Sequence, residues 1–338
     1  MTAGACILGC AGPLLTEAEK AFFADVRPWG FILFARNIET PDQVRALTAA
    51  LRETVGRDDA PILIDQEGGR VQRLRPPRWP AYPPGGAYRG LPRHLQHEMA
   101  RLGGRLIAHD LAALGINVDC APVLDVPAPG GHEIIGDRAY GDTPGQVTEL
   151  GRAFAEGLMA GAVLPVVKHV PGHGRAGADS HLELPVVEAA RDELEACDFA
   201  PFKALSDMPM AMTAHVIYAA IDPERPATTS RAVIRQVVRE AIGFDGLLIS
   251  DDLSMRALSG GFRQRAEAAL AAGCDVVLHC NGEMAEMQAV AAGCGALAGP
   301  AMRRAQAALA RVSAGPEPFD AADGRARFAA AFGDRLAA

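Results

Sequence analysis

The segment Lys168-His169-Val170-Pro171-Gly172-His173-Gly174, continuing to Asp179-Ser180-His181, gathers three histidines, a lysine and an aspartate in a glycine-rich stretch. Asp179 and His181 stand close enough in the chain for the carboxylate to reach one ring nitrogen. That contact would fix the tautomer and raise the basicity of the other nitrogen. An imidazole, whose pKa is ordinarily about 6.5, can then give a proton and take one back near neutral pH. Two other readings stay open at this point. His169, His173 and His181 could bind zinc, although no helical H-E-x-x-H accompanies them and Lys168 would bring a positive charge to the cation. A solvated loop with scattered histidines would need no chemistry, but such loops on rigid scaffolds commonly carry function.

Two further segments carry carboxylates. Gly246-Leu-Leu-Ile-Ser-Asp251-Asp252 is an apolar run ending in two aspartates. Asp251, still at the strand end, reads as a pocket-facing nucleophile or electrostatic stabiliser; Asp252 suits the N-cap of a following helix as well as a site. Asp65-Gln-Glu-Gly-Gly-Arg-Val-Gln-Arg73 folds back at paired glycines. Asp65 and Arg73 can then present a hydrogen-bonding fork to a polyol; on the purely structural alternative, Glu67 and Arg70 pair on the loop surface. Arg138, in Ile135-Gly-Asp-Arg-Ala-Tyr140, is uninformative alone.

These residues need a scaffold that brings them together. Eight short apolar runs recur along the chain: Ala5–Gly9, Phe31–Phe34, Pro61–Asp65, Asn117–Pro122, Leu164–His169, Met210–His215, Leu247–Asp251 and Asp275–Cys280. Helical patterns lie between them. Thr40-Pro41-Asp42-Gln43 and Thr143-Pro144-Gly145-Gln146 read as capping boxes with Pro at the first helical position. Val147, Leu150, Phe154 and Leu158 then follow on one helical face. Alternating strand and helix implies a parallel sheet, and eight units favour a closed (β/α)8 TIM-type barrel. An open doubly wound sheet is the alternative, but no G-x-G-x-x-G follows an early strand. The expectation is one catalytic domain over residues 1–338, with its core at about 5–313 and a helical C-terminal tail. Residues 75–93, rich in Pro, Gly and Arg, read as a long loop after the third strand. In a barrel the reactive groups sit at the C-terminal strand ends. Asp65, Lys168, His169, His215, Asp251 and His279 all fall there.

Composition narrows the functional classes. With 33 basic against 41 acidic residues the net charge is −8, which argues against a nucleic-acid partner. Hydrophobic residues at 49% and charged residues at 22% are globular values, not disordered ones. The seven cysteines form no C-x-x-C pair, which points to a reducing compartment. No apolar run approaches a membrane span of about 18 residues. Ile7-Leu8-Gly9-Cys10 imitates a lipoprotein cleavage site but lacks a positive n-region and an apolar h-region. A cytoplasmic protein without a membrane partner is the expectation.

K-H-x-P-G-H-G with D-S-H, D-Q-E-G-G-R-V-Q-R, A-P-V-L-D-V, G-D-R-A-Y and S-D-D-L-S-M occur in order between about Phe31 and Asn281. Together they resemble the family 3 glycoside hydrolases, above all their single-domain cytoplasmic β-N-acetylglucosaminidases. Val170 and Thr213 depart from the family pattern without touching a proposed catalytic group. The resemblance implies that Asp251 attacks the anomeric carbon and that His181 is proton donor and acceptor, oriented by Asp179. It further implies that Asp65, Arg73, Arg138, Lys168 and His169 grip a non-reducing N-acetylglucosamine. The implied substrates are peptidoglycan fragments, N-acetylglucosaminyl-β-1,4-anhydro-N-acetylmuramic acid and its muropeptides, in peptidoglycan recycling. The protein is expected to act as a monomer, without metal or organic cofactor. Phosphorolysis at the same site and a metal-dependent TIM-barrel hydrolase are the alternatives.

Overall fold

The computed structural model describes residues 2–180 and 183–333. Eight strands close into a barrel: β1 (Gly4–Leu8), β2 (Pro28–Leu33), β3 (Ile62–Ile64), β4 (Val118–Asp119), β5 (Leu164–Val170), β6 (Met210–Thr213), β7 (Leu247–Asp252) and β8 (Val276–His279). Each is parallel to its sequence neighbours, and β1 closes the ring on β8 through Cys6–Val277, Ile7–Leu278 and Leu8–His279. The fold is the expected (β/α)8 TIM-type barrel, and each of the eight apolar runs overlaps a strand. β2 starts at Pro28 rather than Phe31, because Pro28 and Gly30 pair with Gly4 and Ile7 of β1.

Side chains alternate along every strand, since successive residues point to opposite faces. Ile7, Leu63, Val118, Val166, Ile249 and Leu278 pack together as the barrel interior. Their neighbours Leu8, Ile64, Val167, Leu248 and Val277 pack in the cluster that joins barrel to helices. Two residues beyond Leu63, Val166 and Ile249 come Asp65, Lys168 and Asp251. Strand parity alone therefore turns all three inward at the C-terminal rim.

The helical ring follows the sequence signals with one adjustment. Thr40 and Thr143 do cap the helices Pro41–Val55 and Pro144–Ala160, accepting from Gln43 and Gln146 backbone N–H groups. The glutamine side chains, however, reach one residue further back, to the N–H groups of Glu39 and Asp142, so the reciprocal half of each capping box is not formed. The stripe Val147, Leu150, Phe154 and Leu158 is buried. Part of it meets helix Arg93–Ala112 at close range, where a Cβ on Gly104 would stand 2.2 Å from the Phe154 carbonyl oxygen. After β8 come helices Met284–Ala292, Gly299–Ala310 and Ala321–Phe332.

Candidate active site

At the C-terminal mouth of the barrel lies a cavity of about 280 Å³. Its polar lining includes Asp65, Glu67, Arg73, Arg138, Lys168, His169, His173, Ser180 and Asp251, with Phe34, Met212 and Leu278 as apolar walls. The short hairpin Gln66–Gly68/Val71–Gln72 folds back after β3 and brings Arg73 over Asp65. Asp65 accepts from Arg73 Nη2 at 3.0 Å and from Lys168 Nζ at 2.9 Å. Lys168 Nζ also lies 2.7 Å from Glu67 Oε1, and Arg138 holds both Glu67 oxygens at 2.8 Å. Burial would raise the pKa of both carboxyl groups, but the adjacent cations dominate. Lys168 and Arg73 hold Asp65 well below the usual carboxylate range, and Arg138 and Lys168 bring Glu67 down to about 2. Burial pulls the other way on Lys168, yet Asp65 and Glu67 raise it above its ordinary value and keep it cationic. The Arg73 guanidinium also sits 4.8 Å over the Phe34 ring, which fixes its plane.

A second group lies behind the first. Asp125, fully buried, takes His169 Nδ1 at 2.7 Å on one oxygen and the N–H groups of His169 (3.2 Å) and His173 (2.6 Å) on the other. One carboxylate thereby orients an imidazole and pins the turn that follows β5. His173 Nε2 lies 3.2 Å from Ser180 Oγ, and burial, aided by His169, lowers the His173 pKa to about 4. Asp119 accepts the Gln66 N–H at 2.9 Å; burial raises its pKa to about 8, so it is neutral near pH 7.

Asp251 lines the same cavity, and one of its oxygens accepts the Asp252 N–H at 2.7 Å. Asp252 is not a helix cap. Its Oδ1 accepts the N–H groups of both Ser254 (3.0 Å) and Cys280 (3.1 Å), so it ties the end of β7 to β8. His215, buried beside them, contacts the Asp252 carbonyl oxygen through Nε2 at 3.0 Å and Thr228 Oγ1 through Nδ1 at 2.7 Å.

Asp65, Arg73, Arg138, Lys168, His169 and Asp251, named from the sequence, therefore line one cavity. Asp179 is half-buried on the loop that brings Ser180 to that cavity, and His181 lies outside the described residues. Glu67 and Arg70 do not pair with each other on the surface. Glu67 is buried against Arg138 and Lys168, whereas Arg70 pairs with Asp137 at 3.1 Å. Sequence reading also gave no role to Asp125 and considered His173 only as a metal ligand. The available signal was position, since Asp125 follows β4 as Asp65 follows β3. Among the described residues no three His, Cys, Asp or Glu side chains are grouped to hold a metal ion.

The profile of the glycosyl hydrolase family 3 N-terminal domain matches residues 15–314. The β-hexosaminidase of Alkalilimnicola ehrlichii is 43% identical over 293 residues, which is 83% of this chain and 82% of that protein. Its counterpart in Pseudomonas aeruginosa is 39% identical over 297 residues, 86% of either chain. Among solved structures, NagZ from Neisseria gonorrhoeae in complex with N-trifluoroacetyl-D-glucosamine matches with a TM-score of 0.86 at 32% identity, covering 100% of this chain and 99% of that one. The family 3 β-N-acetylglucosaminidase of a Paenibacillus strain matches with a TM-score of 0.84 at 31% identity; it is longer, and the match covers 96% of this chain but 66% of that protein.

Proposed function

Because the chain belongs to glycosyl hydrolase family 3, we propose that this glycoside hydrolase is a retaining exo-β-N-acetylglucosaminidase. It removes terminal N-acetylglucosamine from N-acetylglucosaminyl-anhydro-N-acetylmuramic acid and its muropeptides, as a cytoplasmic monomer in peptidoglycan recycling. The observation that supports this most is the sharing of one small cavity by Asp251, the imidazole of His169 and the charged groups of Asp65, Glu67, Arg73, Arg138 and Lys168. Such a set of hydrogen-bond donors and acceptors suits one sugar's hydroxyl and amide groups. The cavity volume of about 280 Å³ suits a single terminal residue.

In the first step an Asp251 oxygen attacks the anomeric carbon while the glycosidic C–O bond breaks. The leaving oxygen takes a proton from His181, which Asp179 orients. In the second step His181 takes a proton from water, the water oxygen attacks the same carbon, and Asp251 departs. Two inversions give net retention. The Asp252 N–H fixes the carboxylate's rotamer for the attack. A histidine acid/base replaces the second carboxylic acid usual in retaining glycosidases.

Asp251→Ala should lower kcat on an aryl N-acetylglucosaminide by roughly 10⁴-fold or more. His181→Ala should lower it by about 10²–10⁴-fold. Proton NMR of the first product formed should show the β-anomer of N-acetylglucosamine. An α-anomer, or full activity in the Asp251 variant, would overturn the reading. Product analysis with and without inorganic phosphate separates hydrolysis from phosphorolysis.

A further inference from the structure

A second hollow, of about 510 Å³, lies beside the candidate active site. The two share a wall. Ser180 and Met255 face the first cavity, while Leu184, Ala257 and Leu258 face the second. The Ala257 N–H donates to the Ser180 carbonyl oxygen at 3.3 Å across that wall. The second hollow is lined by three arginines, Arg225, Arg231 and Arg265, against one acidic residue, Glu224. Ser259, Thr229 and Gln264 add neutral hydrogen-bonding groups, and Ala268, Ala271 and Ala272 give a floor without bulk. On a chain of net charge −8 this is a local reversal of sign.

The three arginines are not equivalent. Arg265 is committed to the scaffold, donating from Nη1 to the Leu253 carbonyl oxygen at 2.6 Å and from Nε to that of Gly260 at 3.0 Å. Arg225 and Arg231 are exposed, and their guanidinium groups make no hydrogen bond among the described residues. The nearby Asp222 carboxylate is taken by Ser230 Oγ at 2.6 Å and by the backbone N–H groups of Glu224 and Arg225. Two planar forks thus stand open to a ligand, and guanidinium groups match carboxylates bidentately.

We propose that this hollow binds the anionic peptide carried by the leaving group. The inference rests on the exo-glycosidase reading above, because a proton donor must lie beside the leaving oxygen. The proposed donor follows Ser180 directly in the chain, and Ser180 lines the first cavity at the wall the two hollows share, so a leaving group directed past Ser180 heads for the second hollow. Stem peptides carry several free carboxylates at neutral pH, so the ligand class is a short polycarboxylate peptide rather than a neutral sugar.

The test compares three substrates of the full-length protein: an aryl N-acetylglucosaminide, the peptide-free disaccharide N-acetylglucosaminyl-anhydro-N-acetylmuramic acid, and the same disaccharide bearing its tripeptide. The double variant Arg225→Ser/Arg231→Ser should raise KM for the tripeptide substrate about tenfold. Its aryl and peptide-free kinetics should stay within twofold of the unaltered protein, which also reports that it folds. Arg231→Glu alone should shift KM for the tripeptide substrate in the same direction. Raising salt should weaken the unaltered protein's action on the tripeptide substrate more than on the peptide-free one. Equal KM changes on both disaccharides, or none, would overturn the groove and leave the activity standing. Failure of the unaltered protein to release N-acetylglucosamine from any of the three would remove the parent reading, and the groove with it.

Discussion

Glu67 holds the cavity's cations in register. Its two oxygens bind Arg138 bidentately and one also meets Lys168, with all three side chains buried. Breaking such a pair by removing one charge is costly, typically about 3–5 kcal/mol, because the partners stay buried and uncompensated. Glu67→Gln should therefore lower the melting temperature. It should raise KM for an aryl N-acetylglucosaminide by about tenfold or more, with a smaller fall in kcat, because Arg138 and Lys168 lose their alignment but Asp251 is untouched. Unchanged KM alongside reduced stability would reduce Glu67 to a packing role. Asp119 behaves in the opposite sense. Its pKa is raised by burial to about 8, so its contribution to stability is complete below the unfolded value near 3.8 and is lost as pH rises towards 8. An asparagine does not titrate. The stability of Asp119→Asn relative to the unaltered protein should accordingly climb between pH 5 and pH 8 and level off above that, as read by denaturant melts across pH. A constant difference would show that Asp119 does not change its protonation state on folding in this window.

Elements carry the site in two ways, and only one could be read in advance. Strand ends were legible because parity is local: an inward Ile249 requires an inward Asp251, and the same rule delivers Asp65 and Lys168. Ion-pair partners were not. Glu67 and Arg138 are 71 residues apart in the chain and meet only because the hairpin after β3 and the loop after β4 converge over the barrel mouth. That loop is also laced to the glycine-rich segment after β5. The Ala128 N–H donates to the Gly174 carbonyl oxygen at 3.3 Å, and the His132 N–H to that of Ala176 at 2.8 Å. Gly174 is the tightest point, since a Cβ there would stand 1.9 Å from the Val126 carbonyl oxygen. Glycines in a loop ordinarily supply conformational freedom. At Gly174 the glycine instead allows two backbones to touch. Gly174→Ala should push the loops apart, costing about 1–3 kcal/mol of stability as overpacking does. It should also reduce kcat/KM on an aryl N-acetylglucosaminide. A variant that melts and turns over normally would show that the contact is dispensable.

At the scale of the whole molecule, the helical tail and the 75–93 stretch explain each other. The sequence leads one to expect a helical tail and a long loop at 75–93, the latter in fact interrupted by the short helix Gly85–Arg89, but neither pattern says that the two dock. The docking is a tertiary event between segments more than 200 residues apart, carried by aromatic rings. Phe328 of helix Ala321–Phe332 lies 6.2 Å from Tyr82 and 6.3 Å from Tyr88, and Phe332 lies 5.3 Å from Tyr88, centroid to centroid. Tyr88 stacks in turn on Tyr140, and Arg325 donates to the Tyr82 hydroxyl at 3.2 Å. Tyr82 then reaches the site. Its carbonyl oxygen accepts the Gly69 N–H at 2.7 Å, and its own N–H donates to Gln72 Oε1 at 3.0 Å, so it braces the hairpin that bears Glu67 and leads to Arg73. A truncated tail residue should therefore be felt at the sugar pocket. Phe328→Ala removes a buried ring and should cost about 3–5 kcal/mol, seen as a lower melting temperature. Because Tyr82 loses its backing, KM for an aryl N-acetylglucosaminide should rise in the same variant, assayed well below its melting point. Should stability fall while KM stays fixed, the tail would be a cover for the barrel's flank, and the brace running through Tyr82 would have no bearing on how the sugar is held.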